Sequence, residues 1–327
     1  MSVLRLLVKR IALGLVAAWA VLTVTFLAFT TSRDWVAGGI EGTMRYEGAS
    51  EAEVELALEE YLAIHGLDRP LWEQYVDWIG SMLTLDWGRA FFIDGESGSE
   101  ATLFEPGAPV FQMVIEATAR TVLYVGPALV LALAAGTAIG LYAASNPKGR
   151  LANSSSGTTY LLFAVPNFWI GGMALSLAAA GRLPDSTLVF EHLLPITLTA
   201  TTLLGAYVSY ARAHALEYAS AEFVTLVRAK GAGPIRVARH VLRNAAIPLF
   251  SMVFTEALAL LVLTVFVIES LFTIEGFGLL LFEAVQLRDL PVVLGCTLVI
   301  IAVGIAGNVV QDLTYTILDP RVDTDSR

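Results

Sequence analysis

Glu222-Phe223-Val224-Thr225-Leu226-Val227-Arg228-Ala229-Lys230-Gly231 and, shortly after, Arg239-His240-Val241-Leu242-Arg243-Asn244-Ala245-Ala246-Ile247-Pro248 decide how this chain is read. Both runs begin within the stretch from Ala211 to Ala245, where six Lys or Arg oppose only Glu217 and Glu222, between two long apolar runs. Lys and Arg are retained on the cytoplasmic side of a membrane, so the loop predicts its own side and with it the orientation of the whole chain. Leu216, Phe223, Leu226 and Val227 recur at helical spacing, and Gly231 follows Lys230 where a C-cap glycine sits beside last-turn cations. Pro234 presets the φ of a first helical position, and Ile235, Ala238, Val241 and Leu242 alternate with Arg236, Arg239, His240 and Arg243. Two short amphipathic helices are expected, and by pattern alone they suit an anionic lipid surface and a docked protein equally well.

The wording of the two runs tips that balance. They resemble the coupling segment of binding-protein-dependent ABC importer permeases, most of all the peptide and nickel branch. His65-Gly66-Leu67-Asp68-Arg69-Pro70-Leu71-Trp72-Glu73-Gln74-Tyr75 and Leu85-Asp86-Trp87-Gly88 are similar to the external segment of that branch's first permease subunit. Glu269-Ser270-Leu271-Phe272, Gly276-Phe277-Gly278, Arg288-Asp289-Leu290-Pro291-Val292-Val293 and Asp319-Pro320-Arg321 resemble its later landmarks in the same order. Thr30-Thr31-Ser32-Arg33-Asp34 departs from the Pro-Gly-Asp-Pro-like turn usual after the family's first span.

Composition reaches the membrane independently. Hydrophobic residues make up 56% of 327 and mean hydropathy is +0.68, while charged residues fall to 15%, well under the soluble norm of roughly a quarter. A helix crossing the hydrocarbon needs about 20 mostly apolar residues. Six stretches answer: Ile11 to Ser32, Thr121 to Ser145, the later part of Leu151 to Gly181, Leu193 to Ala211, Ala245 to Ile268 and Pro291 to Val310. Arg5, Lys9 and Arg10 precede a first stretch too long for a signal-peptide core, so it reads as a retained span. With six spans these cations, Lys148, Arg150, the coupling loop and Arg321 all fall inside, and both termini are cytoplasmic.

The expected fold class is therefore an all-α integral membrane protein with six transmembrane helices, and the resemblance implies the type I ABC importer permease fold. Its divisions are a cytoplasmic N-terminus and first span (1–32), an acidic extracytoplasmic loop (33–118), a five-helix permease core (119–315) and a cytoplasmic tail (316–327). Within the core lie the coupling loop (212–244) and an outer loop (269–291). Residues 33–118 hold four Arg against seventeen Asp and Glu, a net of −13. Such a surface is tolerated where salt screens it heavily, and a halophilic habitat is one reading of it. Ser50 with Glu53 forms a capping box, Val54, Leu58, Tyr61, Leu62 and His65 line one helix face, and Gly66 ends it. Pro70 opens a further helix whose Trp72, Tyr75, Val76 and Ile79 are expected against the membrane interface or the first helix. Asp94 to Pro109 reads as a loop.

Catalytic chemistry is missing from the pattern. Lys9 precedes Arg, and Lys148 and Lys230 precede Gly, so no phosphate cradle ending in Lys-Ser or Lys-Thr exists. The histidines, His65, His192, His214 and His240, lack metal-ligand spacing, and Cys296 is the lone cysteine. Glu256, in the fifth span, must be neutral, paired or hydrated there. It reads either as a pathway residue or as a structural hydrogen bond. Small residues at Gly136 and Gly140, Gly171 and Gly172, and Gly304 and Gly307 signal close helix packing; Pro127 and Pro166 signal bends.

What the resemblance implies is one permease subunit of an ATP-driven importer of peptides or a related small solute. Its coupling residues are Glu222, Arg228, Ala229, Lys230, Gly231, Arg239, His240, Arg243, Asn244 and Pro248. Its candidate pathway or outer-mouth residues are Glu256, Glu269, Phe272, Gly276 and Gly278. The implied partners are a second homologous permease subunit, two ABC ATPase subunits that hold ATP and magnesium, an extracytoplasmic solute-binding protein and membrane lipid, with no nucleic acid and no cofactor on this chain. The alternative is an ion-gradient-driven transporter or channel using Glu256.

Overall fold

A computed structural model of the chain describes residues 3–84, 86–91, 108–145, 165–184, 186–219, 222–233, 235–237, 239–240 and 265–318. Among these residues the fold is helical, and a single bridge between Arg89 and Pro109 is the one extended pairing. The helices are α1 (Val3–Thr31), α2 (Trp35–Tyr46), α3 (Glu51–Ile64), α4 (Leu71–Thr84), α5 (Val110–Ser145), α6 (Asn167–Ala179), α7 (Leu194–Ala219), α8 (Glu222–Ala229), α9 (Val265–Phe272), α10 (Phe277–Gln286) and α11 (Leu290–Leu318). A π-helical turn, Leu188–Leu193, leads into α7. Among the described residues four stretches are long and apolar enough to cross a membrane, Leu7–Tyr46, Val110–Ala144, Leu188–Glu217 and Leu290–Leu313, and a fifth passes if α9 and α10 count as one broken span. Most of the expected fifth span, with Glu256, lies outside the described residues, as do Pro234, Arg243, Asn244, Pro248, residues 92–107 and the first part of the third span.

Contacts divide the chain into two compact units. One comprises Leu7–Thr118 and Glu275–Ala302. Its core gathers Trp87, Val110, Val114, Leu280, Val292 and Cys296, all buried. The Trp87 ring lies so close on α11 that a Cβ at Gly295 would stand 2.9 Å from it, which gives the Leu85-Asp86-Trp87-Gly88 motif a packing reason. Residues 88–90 pair with 108–110 through Ala90 N–H to Ala108 O (3.0 Å) and Val110 N–H to Gly88 O (3.1 Å). Helix α4 lies along α1: Phe26 meets Tyr75 edge-on at 5.4 Å and stacks on Trp78 at 5.9 Å, and the Thr23 and Tyr75 hydroxyls are 2.7 Å apart. Tyr75 thus packs on the first helix as expected. Trp72 and Val76 are exposed, on the side of α4 open to a membrane interface.

The same unit holds the acidic helices. Ser50 and Glu53 form the expected capping box of α3, Val54 is buried beneath it, and the helix stops at Gly66. Asp34 caps α2 by accepting from the Val36 and Ala37 amides at 3.0 and 3.1 Å. Three glycines in α2, Gly38, Gly39 and Gly42, argue against a helix by propensity, and the cap and packing on α3 override them.

The second unit comprises Met1–Leu6, Ala119–Ile274 and Val303–Arg327. Gly136 and Gly140 let α5 and α7 touch: an added Cβ would meet Tyr207 Cβ at 2.5 Å at the first position and Ala211 Cβ at 2.6 Å at the second. This is the small-xxx-small contact expected of a membrane helix pair. Pro127 lies inside α5, whereas Pro166 precedes α6 as its N-cap and starts that helix without bending it. Asn167 joins α6 to α7 by donating to the Leu198 carbonyl at 2.7 Å and to the Thr202 hydroxyl. Tyr124, Val125, Phe190, Leu198, Val265, Ile268 and Phe272 form a buried cluster drawn from α5, the π turn, α7 and α9.

Candidate functional site

Helix α8 begins with Glu222, whose carboxylate suits the positive end of a helix dipole. It ends where the Ala232 amide reaches back to the Val227 carbonyl at 3.3 Å over Gly231, at φ +76°. Helical turns resume over 235–237 and 239–240. Two valines fasten this element from below. Val224 and Val237 are buried in one cluster with Leu141 and Ala144 of α5 and Ala215 of α7. Burying each valine contributes about 2 kcal/mol, enough to hold the element against the two helix ends. Its other face is open: Glu222, Leu226, Ala229, Lys230, Ile235, Arg236, Arg239 and His240 are exposed, Ile235 at 88%. Leu226 and Ile235 thus lie exposed in the same short element as Lys230, Arg236 and Arg239, with Glu222 at its start. Arg228 contributes its backbone to α8, and its side chain lies outside the described residues.

The second feature is a carboxylate with no exposure at all. Glu269, on α9, accepts from the Thr121 hydroxyl at 2.6 Å and the Tyr124 hydroxyl at 3.1 Å, both on α5. Two donors at one oxygen offset part of the cost of taking a carboxylate out of water. The α9 backbone stops just beyond, with the Ile274 amide on the Glu269 carbonyl at 2.9 Å and Thr273 in the left-handed region at φ +54°. A β-branched residue is an outlier there. The structure therefore ties α9 to α5 through Glu269. Phe272 is buried in the same unit, and Gly276 and Gly278 are buried in the other, so none of the four presents an open surface in this chain. Sequence reasoning missed Thr121 and Tyr124, although two polar groups at i, i+3 spacing in an apolar span mark one helix face. Among the described residues no group of three or more His, Cys, Asp or Glu could hold a metal ion.

The chain thus keeps a short element, with cations among its exposed residues, packed near the ends of two long apolar helices. The family model described as the inner membrane component of binding-protein-dependent transport systems matches residues 136–324. Among relatives, the oligopeptide transport system permease protein AppB of Bacillus subtilis is 26% identical over 84% of this chain and 86% of its own length. The dipeptide transport system permease protein DppB of the same organism is 29% identical, covering 93% and 95%. A second DppB, from Lactococcus lactis, is 27% identical, covering 79% and 82%. The chain belongs to the family of binding-protein-dependent transport system inner membrane components. It is a multi-pass permease subunit of the cytoplasmic membrane and not an enzyme; ATP hydrolysis belongs to a separate ATPase.

Proposed function

We propose that the chain is one half of the translocation pathway of an ATP-driven peptide importer. Peptides are the solute named in the relatives, and dipeptides, oligopeptides or a related small solute of nickel type are the range it would carry. In this reading six helices cross the membrane with both termini cytoplasmic. Residues 33–118 and 269–291 lie outside, 212–244 form the coupling loop, and 316–327 form an inner tail. A second homologous permease completes the pore, two ATPase subunits carrying ATP and magnesium grip the coupling loops, and an extracytoplasmic binding protein delivers the solute.

One observation carries the reading: the α8 element buries Val224 and Val237 on α5 and α7 and turns Leu226, Ile235 and its cations away from them. An element built this way passes a load from a docked subunit to two membrane helices. The test is co-expression with the second permease and the ATPases, then affinity purification in mild detergent. Wild type is expected to retain both partners; Leu226→Asp with Ile235→Asp is expected to lose the ATPases and keep the second permease. Undiminished ATPase in that double variant would sink the assignment of the docking face.

A further inference from the structure

Among the described residues four helices stop at a glycine in the left-handed region, Gly48, Gly66, Gly181 and Gly231, but α10 stops at Arg288, at φ +60°. The Asp289 amide reaches the Ala284 carbonyl at 2.8 Å and the Arg288 amide reaches the Val285 carbonyl at 3.3 Å, the double bond of a left-handed helix stop. Glycine is the low-cost residue for that position. What the arginine adds lies in another part of the chain. Its guanidinium donates to the carbonyls of Phe29, Ser32 (3.1 Å) and Arg33 (3.0 Å) and to the Ser32 hydroxyl (2.9 Å). Its Nε faces the Asp34 carboxylate at 3.5 Å, and its Cζ lies over the Trp35 ring, 5.1 Å from the ring centre.

These partners form a pattern. The last carbonyls of a helix have no intrahelical donors and carry its negative pole, and α1 has no basic residue in its last turn. Arg288 supplies the missing cation from 256 residues away. Asp34, the N-cap of α2, also accepts from Tyr61 of α3 at 3.2 Å, and the Trp35 indole donates to the Gln286 carbonyl at 2.8 Å. Burial foremost, then the Asp34 charge, pushes the Tyr61 phenol far above its ordinary value and keeps it a donor. On the other side, Asp289 has no exposure, and it accepts from the Val292 amide at 3.2 Å and the Phe91 amide at 2.6 Å. A cavity of about 210 Å3 opens beside Arg288 and Asp34. Every guanidinium nitrogen is already engaged, so the arginine is committed to protein and not to an anion in that cavity.

We propose that Arg288 is a positioning residue: it caps α1 from the turn between α10 and α11 and so makes α1, the acidic helices α2 and α3, and that turn shift together during transport. Lysine cannot replace it, because a point charge cannot cover three carbonyls and a carboxylate at once. Glycine relaxes the turn and removes the cap, which separates the two roles of the position.

The consequence for transport rests on the importer reading, so the test has two readouts on the assembled transporter in nanodiscs, with Arg288→Gly, Arg288→Lys and wild type compared. The first is hydrogen exchange over residues 29–37. A rise of about ten-fold or more in Arg288→Gly, confined to that segment, with a smaller rise in Arg288→Lys, is expected. The second is ATP hydrolysis with and without solute-loaded binding protein. Stimulation is expected to fall several-fold in Arg288→Gly while the basal rate stays at the wild-type level. Unchanged exchange, a rise spread evenly over the chain, proportional loss of both rates, or a local rise with full stimulation would each overturn the proposal. Wild type that shows no stimulation would overturn the importer reading instead, leaving the exchange result to judge the cap.

Discussion

Gly231 offers a substitution whose cost comes from backbone geometry alone. It stands at φ +76°, and nothing lies within 4 Å of the place a Cβ would take. A side chain there meets no neighbour, so the penalty is that of holding an L-residue in the left-handed region, about 1–2 kcal/mol. Alanine should sit at the lower end and valine at or above the upper, while asparagine tolerates this conformation. About 2 kcal/mol shifts the ratio of stopped to misdirected loop roughly 30-fold. The stop matters because Val224 and Val237, on either side of it, share one cluster against α5 and α7; a loop that fails to turn cannot seat both. The assay is ATP-dependent uptake by proteoliposomes containing the whole transporter, alongside the ATPase retained through purification. The expected order is wild type and Gly231→Asn, then Gly231→Ala, then Gly231→Val, with the last losing about ten-fold in coupled uptake. Full uptake and full ATPase retention in Gly231→Val would refute the mechanical role of this turn.

Glu269→Leu removes the acceptor that the Thr121 and Tyr124 hydroxyls share, costing about 1–3 kcal/mol; Glu269→Gln keeps an acceptor oxygen and should lose much less, and thermal unfolding in detergent ranks the two. In the acidic segment, hydrogen bonds from the Ser50 backbone and then its side chain hold the Glu53 carboxyl below its ordinary value of 4.5. A lowered folded value means the capping box is intact above that ordinary value and lost as pH falls through the lower one, so amides in the first turn of α3 should lose protection, relative to their intrinsic exchange at each pH, only on acidification past about pH 4.5; Glu53→Gln should remove that pH dependence.

Local signals were legible and distant ones were not. Ser50 with Glu53, Gly66 and Gly231 each act within one helix turn, and each does in the structure what its spacing predicts. The apolar runs of α1, α5 and α11 were equally plain, since a crossing helix declares itself over about 20 residues. Helix α5 nonetheless starts at Val110, well before the uncharged run that opens at Thr121. Val110, Met113, Val114 and Ala117 pack on protein, with Trp87 and Leu280 in the same cluster, so hydropathy does not reveal that early stretch. The aromatic face of α4 was assigned by period, but which rings meet α1 depends on the rotation of α4, which no local pattern records. Arg288 is the extreme case: its partners at Phe29, Ser32 and Arg33 are joined to it only by the completed fold. Thr273 in the left-handed region runs against its own propensity, and only the observed backbone reveals it.

Within the unit that holds the α8 element, three contacts form a connected series along one helix. Leu141 and Ala144 of α5 carry the buried valines of the element. Gly136 and Gly140 bring α5 against Tyr207 and Ala211 of α7 with no room for a methyl group. Thr121 and Tyr124 of α5 hold Glu269 of α9. Thr121 and Leu141 are about 30 Å apart along a helix that rises ~1.5 Å per residue. A close-packed pair has no slack to absorb a displacement, so a push on the valines moves α5 and α7 as one rod at least as far as Gly136. The rod has one weak joint, Pro127, which lacks the N–H that would bond to the carbonyl four residues earlier. It stands between the rigid contact and the Glu269 hydrogen bonds. If the α8 element takes up a load as proposed, Pro127 is the place where that displacement can turn into bending before it reaches the carboxylate held by Thr121 and Tyr124.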